Sequence, residues 1–340
     1  MSPSPPPSLS IVIVNYQSSD LIINNLKSVF DFNRQILLEV IVVDNLSGDD
    51  SEQKIGTQFP EVRWLQMGYN SGFARANNAG IKAAGASSIL LLNPDTISLD
   101  DSITKCFIQL ADLDFVGAGL QLVDSNRRPQ ISGSRFVPWG LNHLLPLPYW
   151  GPFIRWIGYK SGSKDPNILH AKEVEEVDWI SGAFLMVKKD AINKTGMLDE
   201  DFFLYAEEVE WCSRLRKVGK LCLFGNLKMI HLEGATINES VNNLEKGYYN
   251  LYDKKGLQLM VSNHLRIRKQ YGVLPFLFLL FNYIWGVGLF FVAGFIENAI
   301  AFKNPFSYFP KGWAFAKNVM SLWMLVPRII ANKPFFYKMM

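Results

Sequence analysis

Ser88-Ile89-Leu90-Leu91-Leu92-Asn93-Pro94-Asp95-Thr96 is the stretch whose reading decides the fold. A short apolar run stops at Asn-Pro-Asp, and proline enforces the stop by removing a backbone donor and fixing φ. The run therefore reads as a buried strand, with Asp95 just past its carboxyl end. In open α/β sheets that edge is where ligands bind, and a carboxylate there is well placed to hold a divalent cation. Capping a helix that begins around Asp100, or closing an Asx-turn, accounts for the same aspartate.

Upstream, the same unit recurs. Ser10-Ile11-Val12-Ile13-Val14-Asn15-Tyr16 and Glu39-Val40-Ile41-Val42-Val43-Asp44-Asn45 read as buried strands, and Val62-Arg63-Trp64-Leu65 as a third. Helical spacing fills the intervals at 21–30, 51–59 and 73–84. Repeated β-α units of this length predict an α/β domain with a doubly wound, mostly parallel sheet, because parallel neighbours need a crossover helix. Downstream, the pattern loosens beyond Asp114, and 127–167 is rich in Gly, Pro and aromatics. Regular structure resumes with a strand over 177–187, a helix over 206–218 closed by Gly219, a strand over 221–224 and a segment reaching His231.

Length and charge bound what this chain does. At 340 residues it exceeds one typical domain, and its net charge of +3, with no basic stripe along an element, excludes a nucleic-acid partner. Cys106, Cys212 and Cys222 have neither C-x-x-C nor zinc-ligand spacing, so they read as buried thiols of a reducing compartment. Residues 1–8, half of them proline, lack a basic n-region and read as a disordered leader. From Val273 to Ile296 there is no charged residue, which is the length a helix needs to cross a bilayer. Basic residues on both sides, and a second amphipathic stretch over 313–330, fit a hairpin or helices lying in the interface as well as a single span.

Three strand ends present Asn15-Tyr16, Asp44-Asn45 and Asn93-Pro94-Asp95 along one edge. Asp44 stands where dinucleotide folds carry their ribose-binding acid, but the glycine fingerprint before it is missing and no P-loop is present. Such acids can instead bind a nucleobase or ribose, while Asp95 meets a diphosphate through Mg²⁺ or Mn²⁺. On a helix over 206–218, Glu207, Glu210 and Arg214 share one face, whereas Glu208 heads the apolar face of Trp211, Cys212 and Leu215. A carboxylate there is a candidate general base. His231 is either structural or a second metal ligand.

The strand ends just quoted, with Gly68-Tyr69-Asn70-Ser71-Gly72-Phe73, Asn77-Asn78, Trp179-Ile180-Ser181-Gly182-Ala183-Phe184, Tyr205-Ala206-Glu207-Glu208-Val209-Glu210, and His231 with Gly234, resemble family 2 glycosyltransferases of the rhamnosyltransferase-like branch. The resemblance runs co-linearly over residues 8–240. It implies a GT-A fold over 9–240 followed by a membrane-associating helical region over 241–340, and an inverting transfer from a nucleoside-diphosphate sugar. It further implies that Asn15, Tyr16, Asp44, Asn70, Gly72, Asn77, Asn93 and Asp95 serve the donor, that Asp95 and His231 hold the divalent cation, and that Glu208 is the base. Trp179, Gly182 and Glu207 fall on the acceptor side. Two positions depart from the family pattern. Glu207-Glu208 replaces the usual Glu-Asp, and Gln17 stands where Asn is common. The membrane helices point to a lipid-linked glycan acceptor in cell-surface polysaccharide synthesis, at the cytoplasmic face of the membrane. A sugar nucleotidyltransferase would want a Gly-rich basic loop after the first strand, where this chain has Gln17-Ser18-Ser19-Asp20. An inactive nucleotide-binding scaffold at the membrane is the remaining alternative.

Overall fold

The computed structural model describes residues 7–162, 165–232 and 251–340. Most of the expected leader, and Gly234, lie outside the described residues. Two compact units emerge, both discontinuous in sequence. One draws on the chain before Phe136, on Asn167–Glu200 and on the stretch from Glu208; the other draws on Phe136–Pro166, Asp201–Glu207 and the C-terminal helices. The division expected at residue 240 is thus not a single cut. The aromatic segment 136–166 and the short 201–207, expected within the sugar-transfer domain, pack with the C-terminal helices.

In the first unit the chain runs β1 (Leu9–Asn15), α1 (Ser19–Phe32), β2 (Leu38–Asp44), α2 (Ser51–Gln58), β3 (Arg63–Gln66), α3 (Gly72–Ala83), β4 (Ser88–Leu92), β5 (Thr96–Ser98), α4 (Ser102–Asp112), β6 (Gly117–Val123) and β7 (Gly133–Ser134). The 3₁₀ turn Pro138–Leu144 and α5 (Trp150–Lys160) belong to the second unit. The first resumes with β8 (Asn167–Ile168), β9 (Glu175–Val177), β10 (Trp179–Ile180), β11 (Phe184–Lys188), α6 (Lys189–Thr195), α7 (Glu207–Leu215) and β12 (Leu221–His231).

The main sheet has the order β3-β2-β1-β4-β11-β6-β12-β5, with β9 also on β12. β3, β2, β1 and β4 are mutually parallel, and β11 is antiparallel to both its neighbours. Alternation along β1 explains the two layers: Ile11 and Ile13 meet Ile22, Leu26 and Val29 of α1 on one face, while Val12 meets Ala76 of α3 on the other. Because both faces are covered, these strands are apolar throughout. This is the doubly wound α/β sheet that the sequence predicts.

Two differences bear on the site. The strand expected over 177–187 is broken at Ser181-Gly182-Ala183, where Phe184 N turns back to Ser181 O at 3.2 Å. The small residues let the chain change partners, from β7 for β10 to β4 and β6 for β11. β6 was not expected, because Gly117, Gly119 and Gln121 interrupt its apolar run. Close packing explains one glycine: a methyl at Gly119 would overlap Ile180 and press on Leu223.

In the second unit α8 (Lys254–Tyr271), α9 (Val273–Ile300) and α10 (Phe309–Ala331) share a core containing Leu265, Phe276, Tyr283, Phe315 and Leu322. The α9 and α10 helices are long and apolar enough to cross a membrane. Cys106, Cys212 and Cys222 are buried and unbridged, and burial pushes the Cys212 and Cys222 thiols up to about 12.

Helix α3 lies on β1 through Gly80, where a methyl group would overlap the Val12 side chain. Gly80→Ala is expected to destabilise the fold by about 1–3 kcal/mol in urea unfolding through overpacking. Gly56→Ala on α2, where a methyl meets nothing within 4 Å, should instead raise stability by up to about 1 kcal/mol.

Candidate functional site

The sheet itself brings Asp95 and His231 together. Thr96 of β5 is the antiparallel partner of His231 on β12, and Leu232 N donates to Asp95 O at 2.9 Å. Asp95 Oδ1 consequently lies 3.5 Å from His231 Nε2, with both side chains at least nine-tenths buried. Gln130 orients the ring. Its Nε2 donates to the His231 carbonyl at 3.1 Å, which leaves Oε1 facing Nδ1 at 3.2 Å.

An amide oxygen only accepts, so Nδ1 carries a proton, and in a ring protonated there alone the Nε2 lone pair faces Asp95. Asp95 Oδ1 is itself buried and accepts no hydrogen bond among the described residues. Two acceptors facing each other out of water call for positive charge between them, either a second ring proton or a cation. The 3.5 Å separation is short enough for one ion with bonds near 2.1 Å to reach both atoms. The nitrogen and oxygen set suits Mn²⁺ or Mg²⁺. Among the described residues no third His, Cys, Asp or Glu joins the pair, so further ligands would be water or phosphate oxygens.

Asn25 on α1 fixes the turn that carries Asp95. Its Nδ2 reaches Thr96 O at 2.9 Å, Thr96 Oγ1 at 2.8 Å and Asn93 O at 3.4 Å. Asn93 N donates to Ala183 O at 3.0 Å, tying the turn to the break before β11. The sequence reading missed both Asn25 and Gln130. The amide of Asn25, set among Ile22, Ile23 and Leu26 on the buried face of α1, is a signal that could have been caught. Gln130 lies in irregular chain and offers none.

Asp44 is 3 % exposed and densely bonded. Oδ1 accepts from Asn15 Nδ2 at 2.8 Å and Ser47 Oγ at 2.5 Å, and Oδ2 accepts from Ser47 N at 3.1 Å and Gln66 Nε2 at 2.9 Å. About four acceptor sites exist on a carboxylate, and all are filled. Asn15 positions Asp44, while its own Oδ1 accepts from Ser18 N at 3.2 Å. Tyr16 follows, half-buried.

Asn45 clamps the next loop, accepting from Ser71 N and Ser71 Oγ at 2.7 Å each and donating to Asn70 Oδ1 at 3.2 Å. Gly72 opens α3 at φ 73°, a conformation that favours glycine, and its N–H donates to Asn70 Oδ1 at 3.2 Å. Asn77 bonds within α3, to Phe73 O at 3.0 Å. Its neighbour Asn78 reaches out to Leu198 instead, donating to O at 2.9 Å and accepting from N at 3.0 Å. Gln17 and Leu46, in the loops after β1 and β2, both hold left-handed backbone at φ 54° and 65°.

Glu208 enters from α7. It is half-buried and touches the break in the strand: a methyl at Gly182 would lie 3.5 Å from Glu208 Cγ and 3.6 Å from Phe73 Cζ. Gly182 precedes Ala183, whose carbonyl holds Asn93, so Glu208 and the Asp95 turn flank one short segment. Behind Glu208, Trp211, Cys212 and Leu215 are fully buried, as the helical spacing predicts. Glu210 accepts from Arg214 Nη2 at 2.7 Å. Trp179 is half-buried, and its Nε1 has no acceptor among the described residues. Glu207 is buried and falls with the second unit. Immediately before it, Tyr205 and Ala206 are both left-handed, at φ 71° and 65°.

In comparison with known proteins, residues 10–161 match the family model described as glycosyl transferase family 2. The chain is 27% identical over 218 residues to low-salt glycan biosynthesis hexosyltransferase Agl10 of Haloferax volcanii, covering 62% of each. It is 27% identical over 202 residues to the N-acetylglucosaminyl-diphospho-decaprenol L-rhamnosyltransferase of Mycobacterium tuberculosis, covering 55% of this chain and 64% of that protein. It thus spans a little under two thirds of the length of these relatives. Among solved structures, mannosyltransferase PcManGT from Pyrobaculum calidifontis, in complex with GDP-Man and Mn²⁺, aligns with a TM-score of 0.53 at 13% identity, over 96% of this chain and 88% of that one. That likeness is one of fold, the GT-A-like mixed sheet.

Removing the Asn25 amide leaves two buried acceptors without their donor. Asn25→Ala is expected to lower stability by about 1–3 kcal/mol in denaturant titration. The tautomer is open to direct measurement: ¹⁵N NMR of the native protein without added metal should show His231 protonated at Nδ1, and Gln130→Ala should abolish that preference.

Proposed function

We propose, from the match of residues 10–161 to glycosyl transferase family 2, that the chain is an inverting hexosyltransferase. The donor is a nucleoside-diphosphate sugar, and the acceptor a hydroxyl of a lipid-linked glycan, in cell-surface polysaccharide synthesis at the cytoplasmic face of the membrane. One observation carries this reading: buried Asp95 and His231 turn two acceptor atoms towards one another at the carboxyl edge of the sheet, beside the segment that Glu208 touches. The relatives' names speak of hexosyl and rhamnosyl transfer, one of them to a decaprenol-linked acceptor.

Asp95 and His231 hold a divalent cation, and Asn93 lies beside them on the same turn. When bound, that cation neutralises charge on the leaving diphosphate. Asp44 receives the base or ribose of the donor. Its acceptor sites are full, so the incoming group displaces a present donor, and Gln66, exposed at the end of β3, is the one whose departure leaves no buried group unpaired. Asn15 keeps Asp44 in place, while Tyr16, Asn70, Gly72 and Asn77 shape the donor loops.

On the acceptor side, Gly182 leaves room beside Glu208, and Trp179 lies just before it on β10. Glu208 takes the acceptor proton as its oxygen attacks the anomeric carbon opposite the diphosphate, which inverts that centre. Glu207, its neighbour in the sequence, serves the acceptor side.

Glu208→Gln should lower turnover by about 10²–10⁴-fold while donor binding, followed by calorimetry, is unchanged; near wild-type turnover would remove Glu208 from the role. Asp95→Ala should abolish the effect of EDTA on donor affinity, an effect the wild-type protein is expected to show. Slow donor hydrolysis releasing nucleoside diphosphate supports transfer, whereas pyrophosphate release from a triphosphate would favour a nucleotidyltransferase. Donor binding without either release would favour the inactive scaffold.

A further inference from the structure

The aromatic segment between Trp139 and Tyr159 finds no use in sugar transfer. In the structure its helical part, α5, is laid out the wrong way round for a soluble protein. Trp150 and Ile154 rest on the core of the second unit, and Gly151 alone in the helix is buried. Phe153, Trp156, Ile157 and Lys160 form an i, i+3, i+4, i+7 stripe on the exposed side, with Trp156 53% exposed. Phe153 stacks on Trp150 at 5.4 Å and on Trp156 at 6.2 Å, and Lys160 Nζ sits 4.2 Å above the Trp156 ring.

The neighbouring α9 is two-faced as well. Phe276, Leu279 and Tyr283 are buried on one side, while Leu274, Phe281, Trp285 and Ile300 stand more than half exposed on the other. The two exposed surfaces are continuous: an open hollow of about 580 Å³, lined by Tyr149, Ala293, Ile296, Glu297, Ile300 and Ala301, joins the start of α5 to the outer side of α9.

Irregular chain runs along α9. Trp139 meets Phe278 edge-on at 6.2 Å, Tyr283 Oη donates to His143 O at 3.2 Å, and Trp150 Nε1 donates to Asn282 Oδ1 at 2.9 Å. Tyr149 Oη then reaches Glu297 Oε2 at 2.6 Å. From Phe278 to Glu297 is about 28 Å of helix at 1.5 Å per residue, nearly a whole hydrocarbon core. If α9 crossed a bilayer, this segment would be drawn in with it, and so would exposed Arg155 and Lys160 of α5, which is tied to the middle of α9. Exposed charge and non-helical backbone are not tolerated at that depth.

We propose that the second unit docks in the plane of an anionic bilayer, with the α5 aromatics and the outer face of α9 immersed at the level of the acyl chains, and that α9 does not cross. Charge fits this partner: from Val273 to Met340, Glu297 is the sole acid, against Lys303, Lys311, Lys317, Arg328, Lys333 and Lys338. The inference deepens the membrane part of the reading above and rests on it.

The test uses the full chain added to preformed vesicles of phosphatidylglycerol and phosphatidylcholine, or of phosphatidylcholine alone. Co-sedimentation should be at least tenfold stronger with the anionic lipid, and Phe153→Ser with Trp156→Ser should weaken it at least tenfold without changing donor hydrolysis. Equal binding to both lipids, or no loss in the double variant, overturns the proposal. With the native thiols buried, Gln270→Cys and Lys303→Cys report the two flanks of α9. Modification of both by an impermeant maleimide from outside sealed vesicles is expected. Protection of one end in vesicle-bound protein would mean a crossing helix and overturn in-plane docking alone, whereas no vesicle binding at all would overturn the membrane reading itself.

Discussion

A carboxylate oxygen and an imidazole nitrogen held 3.5 Å apart in a dry space are the constraint on which the site depends. Without positive charge between them, Asp95 Oδ1 and His231 Nε2 would repel, and a structure free to relax would turn one of them away. It cannot relax, because each side chain is held from behind. Gln130 locks the imidazole, the β5–β12 register locks the backbone, and Asn25 locks the turn. Rigid elements thus keep an unfavourable arrangement poised for positive charge, which is how preorganised polar sites act.

The same logic extends along the sheet edge. Backbone strain gathers there: Gln17 and Leu46 are left-handed in the loops that follow β1 and β2, and Tyr205 and Ala206 are left-handed just before α7. Each such residue costs of order 1–3 kcal/mol and persists only where surroundings over-determine it. Asp44 supplies part of that determination at the first two loops, since it gathers Asn15 and Ser47 onto one carboxylate. The strain bears on Gln17 in particular. Asn enters left-handed backbone more readily than Gln does.

Much of this was legible in the sequence, for identifiable reasons. Strands buried on both faces leave continuous apolar runs, so β1, β2 and β4 announced themselves, and Asn-Pro-Asp marked where the last of them stops. Helical spacing found buried Trp211, Cys212 and Leu215, but not that Glu207 and Glu210 would be buried as well and Glu208 only half so. What stayed hidden depends on contacts between distant segments. Gly117 and Gly119 disguised β6, and close packing against Ile180 and Leu223, not propensity, selects the second. Gln130 and His231 are 101 residues apart, and nothing local at Gln130 tells of the imidazole. The discontinuous second unit was equally invisible, since 136–166 resembles a loop until α8 and α9 are there to cover Trp150 and Ile154.

That last feature bears on how the molecule is made. Residues 136–162 leave the ribosome long before the α8, α9 and α10 helices that complete their core, and synthesis proceeds at about 5–20 residues per second. For several seconds a nascent chain therefore shows water a cluster of tryptophans, phenylalanines and leucines with no partner. A chaperone, or an early encounter with lipid, is the natural shelter for such a surface, so biogenesis and destination would favour the same sticky patch.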